Sequence, residues 1–173
     1  MPEPDLQAYA VRTDLAMEAR ELAASPDGGD VPGVWSETES RDGITVTRME
    51  IRTDEASRRL GKMKGHYVTL EVPGLRGGDS DLHDRVADCF AREFEAFLGR
   101  LGVSPSASVL IVGLGNVNVT PDALGPLVVE NLLVTRHLFE LMRDQVDPGY
   151  RSVSAIAPGV LGTTGIETSE IVQ

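Results

Sequence analysis

The residues most able to do chemistry lie in one stretch, Gly113-Leu-Gly-Asn-Val-Asn-Val-Thr-Pro-Asp-Ala-Leu-Gly-Pro126. Asn116 and Asn118 bring side-chain amides that could orient a peptide, and Gly115 lets the backbone come close to a ligand. Thr120 is a sound N-cap with Pro121 at the first helical position, which puts Asp122 in the first turn of a helix. Two uses of that carboxylate stand open. It can complement the positive end of the helix dipole, or it can act as an acid–base group at a sheet edge. Gly113-x-Gly115 matches half of a dinucleotide-binding fingerprint, but position 118 is Asn where the third glycine belongs, so nucleotide binding is not expected. A second loop, Ala157–Thr168, is rich in Gly, Pro and Thr and reads either as a ligand-approaching loop or as a mobile surface loop. The metal donors are sparse. His66, His83 and His137 have no ligand spacing, and the lone Cys89 builds neither a disulfide framework nor a Cys-based metal site. No metal and no cofactor are expected.

These residues need a sheet to position them. Ser108–Val112 is a continuous apolar run, as in a parallel strand covered on both faces. Val153–Ala157 is a second such run, and the spacing predicts one long helix between them, from about Pro121 to Met142. Both loops then leave the C-terminal edge of parallel strands, where open α/β sheets bind ligands. The expected fold class is α/β, with an open, mostly parallel sheet flanked by helices. Upstream, Ile44 to Ile51 alternates with a slip between Val46 and Met49 that reads as a bulge. Glu55–Leu60 is a helical turn ended by Gly61, and His66–Pro73 is a half-buried strand. Asp79 or Ser80 opens a long helix with Leu82, Val86, Cys89, Phe90, Phe94, Phe97, Leu98 and Leu101 on one stripe, closed by Gly102. Cys89 within that stripe reads as a small buried hydrophobe rather than a reactive thiol.

Residues 1–43 differ in character. Their prolines, the Asp27-Gly-Gly-Asp30 cluster and the acidic stretch Glu37–Asp42 are loop and turn chemistry, interrupted by a short helix from an Asp14 N-cap to Ala23. At the other end, Thr163–Gln173 reads as a helix start without the strand that should follow, which predicts a fragment of a longer chain. The whole has 173 residues, 27 of them acidic and 16 basic, for a net charge of −11. That balance argues against a nucleic-acid partner, because wrapping a polyanion requires a basic surface. The N-terminus lacks a basic start and an apolar run, and no stretch approaches 18 apolar residues, so neither a secretory signal nor a membrane span is expected. A soluble, intracellular domain follows.

With these residues set out, the chain resembles the germination protease family of spore-forming bacteria, nearly end to end. The likeness rests on Tyr9–Ala19, Val109–Asn116, Asn118–Pro126, Val134–Phe139, Gly149–Arg151, Ser154–Gly159 and Gly165–Ser169. The glycine-rich strand-to-helix turn also looks like that of the hydrogenase-maturation peptidases, which implies a shared fold. The resemblance implies an atypical aspartic-type endopeptidase, made as a self-processing zymogen and assembled as a homotetramer in the cytoplasm of the spore core. Its substrates are small acid-soluble spore proteins. Its first catalytic Asp corresponds to Asp122, and its second lies further along than this sequence reaches. Substrates of the family are cut after an acidic residue that precedes an apolar one and Ala. Asp14-Leu15-Ala16 has that shape, so residues 1–14 become a candidate propeptide cleaved between Asp14 and Leu15. Residues 15–43 form an arm and 44–173 the α/β peptidase domain.

Peptide hydrolysis by carboxylates needs one group to take a proton from water and another to protonate the leaving amide. Glu130, Glu167 and Glu170 are the remaining carboxylates near the edge, and helical spacing places none of them beside Asp122. Two other readings therefore stay beside the protease: a folded, inactive assembly domain, and a nickel-binding maturation-type peptidase. The last would need His137 near Asp122, and a straight helix would separate them by about 22 Å.

Overall fold

A computed structural model describes residues 15–23 and 31–173, and the described residues form two compact units divided after Gly102. The first is built on a hairpin. Strand β1 (Val34–Arg41) returns as β2 (Ile44–Ile51) through Asp42 and Gly43, both at positive φ (52° and 81°), in register from Arg41↔Ile44 to Val34↔Ile51. A two-residue Asp-Gly loop with both residues left-handed matches the right-handed twist of the strands it joins. The acidic stretch Glu37–Asp42, expected to be loop, is therefore mostly strand; β1 is polar because it carries almost no core. Strand β3 (Gly65–Glu71) pairs antiparallel with β2 to complete the order β1-β2-β3, and it is half-buried as its alternation predicts.

The slip in β2 is not a bulge. Its register is continuous with both neighbours. Ile44 and Val46 face one side of the sheet and pack with Leu82, Val86 and Cys89 of helix α3 (Ser80–Arg100). Ile51 faces the other side, at 1% exposure, and packs with Ala19 of α1 (Ala16–Ala23) and with Ala56 and Leu60 of α2 (Asp54–Leu60). The apolar pattern shifts by one residue because the buried face changes midway along a strand covered on both sides. Cys89 is half-buried in this packing.

Arg48 projects toward α3, where its guanidinium grips Glu93 with both Nε (2.8 Å) and Nη2 and lies 3.5 Å and 3.6 Å from Glu37 and Glu39 of β1. The hydrogen bonds from Arg48 hold the Glu93 carboxyl below the usual carboxylate range, and the same pair pushes Arg48 up. The helix ends follow the expected chemistry. Thr53 Oγ1 accepts from Ala56 N–H (3.2 Å), Gly61 closes α2 at φ 62°, and Asp79 Oδ1 accepts from the N–H groups of Asp81 and Leu82 (3.0 and 3.3 Å). Further along α3, Phe90 and Phe94 share an open cavity with Tyr67, Val68 and Leu70 of β3 and stack on one another at 5.7 Å, largely exposed.

In the second unit β4 (Val109–Val112) and β5 (Val153–Ile156) pair in parallel, from Val109↔Val153 to Val112↔Ile156. The α/β class thus stands. The mostly parallel sheet does not, since the described strands fall into an antiparallel sheet of three and a parallel pair. The hairpin and short connections of the first unit make antiparallel pairing the cheaper closure there.

The single helix expected from Pro121 to Met142 is also broken. A 3₁₀ turn (Thr120–Asp122) leads into α4 (Leu124–Glu130), and α5 (Arg136–Leu141) follows after a non-helical link. Asn131 ends α4 by donating from both its backbone N–H and its Nδ2 to Leu127 O. Thr135, 2% exposed, then ties the link to the start of β5: its hydroxyl donates to Arg151 O and accepts from Val153 N–H (2.9 Å). Two short helices, α6 (Leu161–Thr164) and α7 (Thr168–Val172), follow β5. Among the described residues, no helix is long and apolar enough to cross a membrane.

Candidate active site

Strands β4 and β5 end together, because Gly113 N–H donates to Ile156 O (2.9 Å) just past the last paired residues. The Gly113–Val119 turn and the Ala157–Val160 segment therefore leave the same sheet edge, as the parallel pairing requires. Here backbone meets backbone. A Cβ on Gly113 would lie 2.3 Å from Gly125 O, one on Gly125 would lie 2.1 Å from Leu114 O, and one on Gly115 (φ +129°) would lie 2.1 Å from Asp122 O. The paired glycines therefore let the start of α4 sit directly against the strand exit, a packing role that calls for no phosphate. Gly125 was not among the residues singled out from sequence, although a glycine beside Pro126 at a helix start is a signal of close approach.

Asp122 lies at the centre of this contact. It sits in the 3₁₀ turn before α4, not in the first turn of a long helix, and Thr120 is not the N-cap: Val119 occupies that place, with no side-chain cap bond. Pro121 pre-sets the backbone of the tighter turn instead. The main chain of Asp122 is held on both sides, its carbonyl accepting from Asn116 N–H (3.0 Å) and its N–H donating to Val119 O (2.8 Å). Its carboxylate is exposed, on an open cavity of about 380 Å³ lined also by Leu114, Pro121, Leu124, Gly125 and Val128.

The neighbouring candidates divide by orientation. Asn116 is half-buried, and its Oδ1 accepts from Asn118 N–H (3.0 Å), while Asn118 itself is exposed. Glu167 and Glu170 are committed to the capping box of α7, each accepting from backbone N–H groups. Glu130 lies at the far end of α4, about 10 Å along the helix from its start. His137 lies on α5, so the break after α4 removes the straight-helix separation from Asp122. Among the described residues, no group of three or more His, Cys, Asp or Glu is arranged to hold a metal ion. Leu15 is exposed just ahead of α1, and Asp14 lies outside the described residues.

Comparison with known proteins gives a consistent result. A family model described as germination protease matches residues 10–173. Among curated relatives, a germination protease of Bacillus licheniformis is 54% identical over 98% of this chain and 46% of its own length. Those of a Geobacillus species and of Bacillus cytotoxicus are 50% and 53% identical, over 98% and 99% of this chain and 47% of theirs. The chain spans about half the length of the curated relatives it matches.

Proposed function

Because the chain belongs to the germination protease family, we propose that it is part of an endopeptidase that degrades small acid-soluble spore proteins during germination, in the cytoplasm of the spore core. Asp122 is its catalytic carboxylate on this reading. The observation that carries it is the way Asp122 is held: both main-chain groups are bonded at the C-terminal edge of β4 and the carboxylate is left exposed beside an open cavity. A fixed backbone with a free acid group is what proton transfer to a bound peptide requires. The aspartic-type mechanism needs a second carboxylate, and the reading assigns it to the part of the relatives that this chain does not span. Two carboxylates held close cannot both ionise easily, so one stays protonated to donate to the leaving amide while the other takes a proton from water.

Self-processing belongs to the same reading, with cleavage between Asp14 and Leu15. Leu15 is exposed and precedes the first helical residue, so fraying one helix end exposes the bond at little cost. A new terminus at Leu15, found by N-terminal sequencing after mild acidification of the full gene product, is the expected outcome; a terminus elsewhere rejects the site. Tetramer assembly is supported by the exposed apolar side chains Leu124, Leu133 and Leu141 on and between α4 and α5. A fold shared with the hydrogenase-maturation peptidases is part of the proposal through the strand-to-helix glycines.

The central test is Asp122→Asn in the full gene product. Asn keeps the size of the side chain but cannot shuttle a proton, so cleavage of a purified small acid-soluble spore protein should be lost while the circular dichroism spectrum is kept. Wild-type turnover by that variant removes Asp122 from the mechanism.

A further inference from the structure

Resting on the assignment of Asp122, we infer that Asn116 is a positioning residue that fixes Asp122 through the main chain, and not an amide presented to substrate. Its side-chain oxygen is turned inward: Oδ1 accepts from Asn118 N–H at 3.0 Å, closing a bend two residues long. Its own N–H donates to Asp122 O (3.0 Å) and its carbonyl accepts from Val119 N–H (3.0 Å), and Val119 O in turn accepts from Asp122 N–H (2.8 Å). The 116–122 loop is thus a closed ring of hydrogen bonds in which residue 116 takes part three times. Both main-chain groups of Asp122 end on that ring. Val117, Asn118 and Val119 are exposed, so side-chain packing adds little to hold it. Gly115, without a Cβ, brings the ring against Asp122 O from the other side.

The chemistry of the side chain makes the inference specific. Two of its three bonds are main-chain and stay with any residue, so what the side chain adds to the ring is one oxygen acceptor at position 116, which Ser or Asp can also supply and Ala cannot. An amide that binds substrate would use its N–H donors, which neither Asp nor Ser carries, and the single Ser O–H sits closer to the backbone. Losing the acceptor frees the bend and lets Asp122 drift, and displacements near 1 Å cost on the order of 100-fold in rate.

The test uses the full gene product with a purified small acid-soluble spore protein, comparing Asn116→Ala, Asn116→Ser, Asn116→Asp and Asp122→Asn. The expected result is kcat lowered roughly 10- to 100-fold by Ala at unchanged KM, with Ser, and Asp near neutral pH, recovering most of it. Amide exchange at Asn118 and Asp122 should rise in the Ala variant and return in the Ser variant. A raised KM shared by Ala, Ser and Asp would overturn the inference and make Asn116 a substrate contact. Wild-type kinetics for Asn116→Ala, with Asp122→Asn inactive, would overturn it while leaving Asp122 in place. Full turnover by Asp122→Asn would instead overturn the functional reading, and this inference with it.

Discussion

The two units solve the problem of covering a sheet differently. In residues 1–102 a three-stranded antiparallel sheet has helices on both faces, and its central strand places Ile44 and Val46 against α3 and Ile51 against α1 and α2. In residues 103–173 the parallel pair leaves Leu110 58% exposed in mid-strand, and the largest fully buried side chain of the unit is Thr135. Hairpin strands find partners within a few residues, whereas parallel strands depend on crossover helices, and here those helices are short and broken. The candidate catalytic carboxylate lies on the second, thinly covered unit. Its precision comes from backbone contacts and hydrogen bonds around Gly113, Gly115, Asn116 and Gly125 rather than from an apolar core. A site can therefore be rigid locally in a unit that buries little.

Four measurements would break or sharpen that contrast. Ile51→Ala should have the largest effect, about 2–5 kcal/mol of destabilisation, because the emptied site is walled by Ala19, Ala56 and Leu60. Urea unfolding followed through Trp35 on β1 reads it. A loss under 1 kcal/mol would deny the first unit its core.

Gly125→Ala is the counterpart in the second unit. The added methyl meets Leu114 O at 2.1 Å, so α4 must shift, at a cost of about 1–3 kcal/mol. Faster amide exchange across β4 and β5, together with lost protease activity in the full product, is the expected pair of results. Unchanged exchange would show that the close approach is dispensable.

Glu93→Gln should cost about 1–3 kcal/mol at neutral pH by removing the charged partner of the half-buried Arg48. Because Arg48 depresses the Glu93 pKa in the folded state, the stabilisation is complete above the ordinary glutamate value of about 4.3 and is lost as pH falls through the depressed value. Wild type and variant should therefore converge in stability on acidification. A difference that does not vary with pH would mean that the pair acts through packing alone.

The smallest effect belongs to Leu110→Ser, expected within about 0.5 kcal/mol because the side chain is exposed. A cost several times larger, falling away on dilution, would mean that the face is covered by self-association and that the contrast between the units holds only for the single chain.

Much of this was legible in the residues. Capping chemistry at Gly61 and Asp79, the half-buried strand around Tyr67 and the parallel β4–β5 pair follow from local pattern, since caps and alternation are properties of a few neighbouring residues. Asp42-Gly43 carried a hairpin signal that the polar face of β1 concealed. Of the site, the strings around Asn116 and Asp122 and their place at a strand end could be read directly. Their bonding could not, because a side chain that closes a loop and one that meets a ligand have the same letter.

By itself the sequence determined the family, the α/β class, the helix ends at Gly61 and Asp79, and the edge from which Asp122 emerges. Only the tertiary structure decided that the strands part into an antiparallel sheet of three and a parallel pair, that β2 changes its buried face between Val46 and Met49, and that the long helix breaks at Asn131. The physical reason is common to all three. Each depends on what lies across the gap: α3 opposite Ile44, α2 opposite Ile51, and Arg151 and Val153 within reach of the Thr135 hydroxyl. Periodicity states that a face is buried, and only the contact states against what.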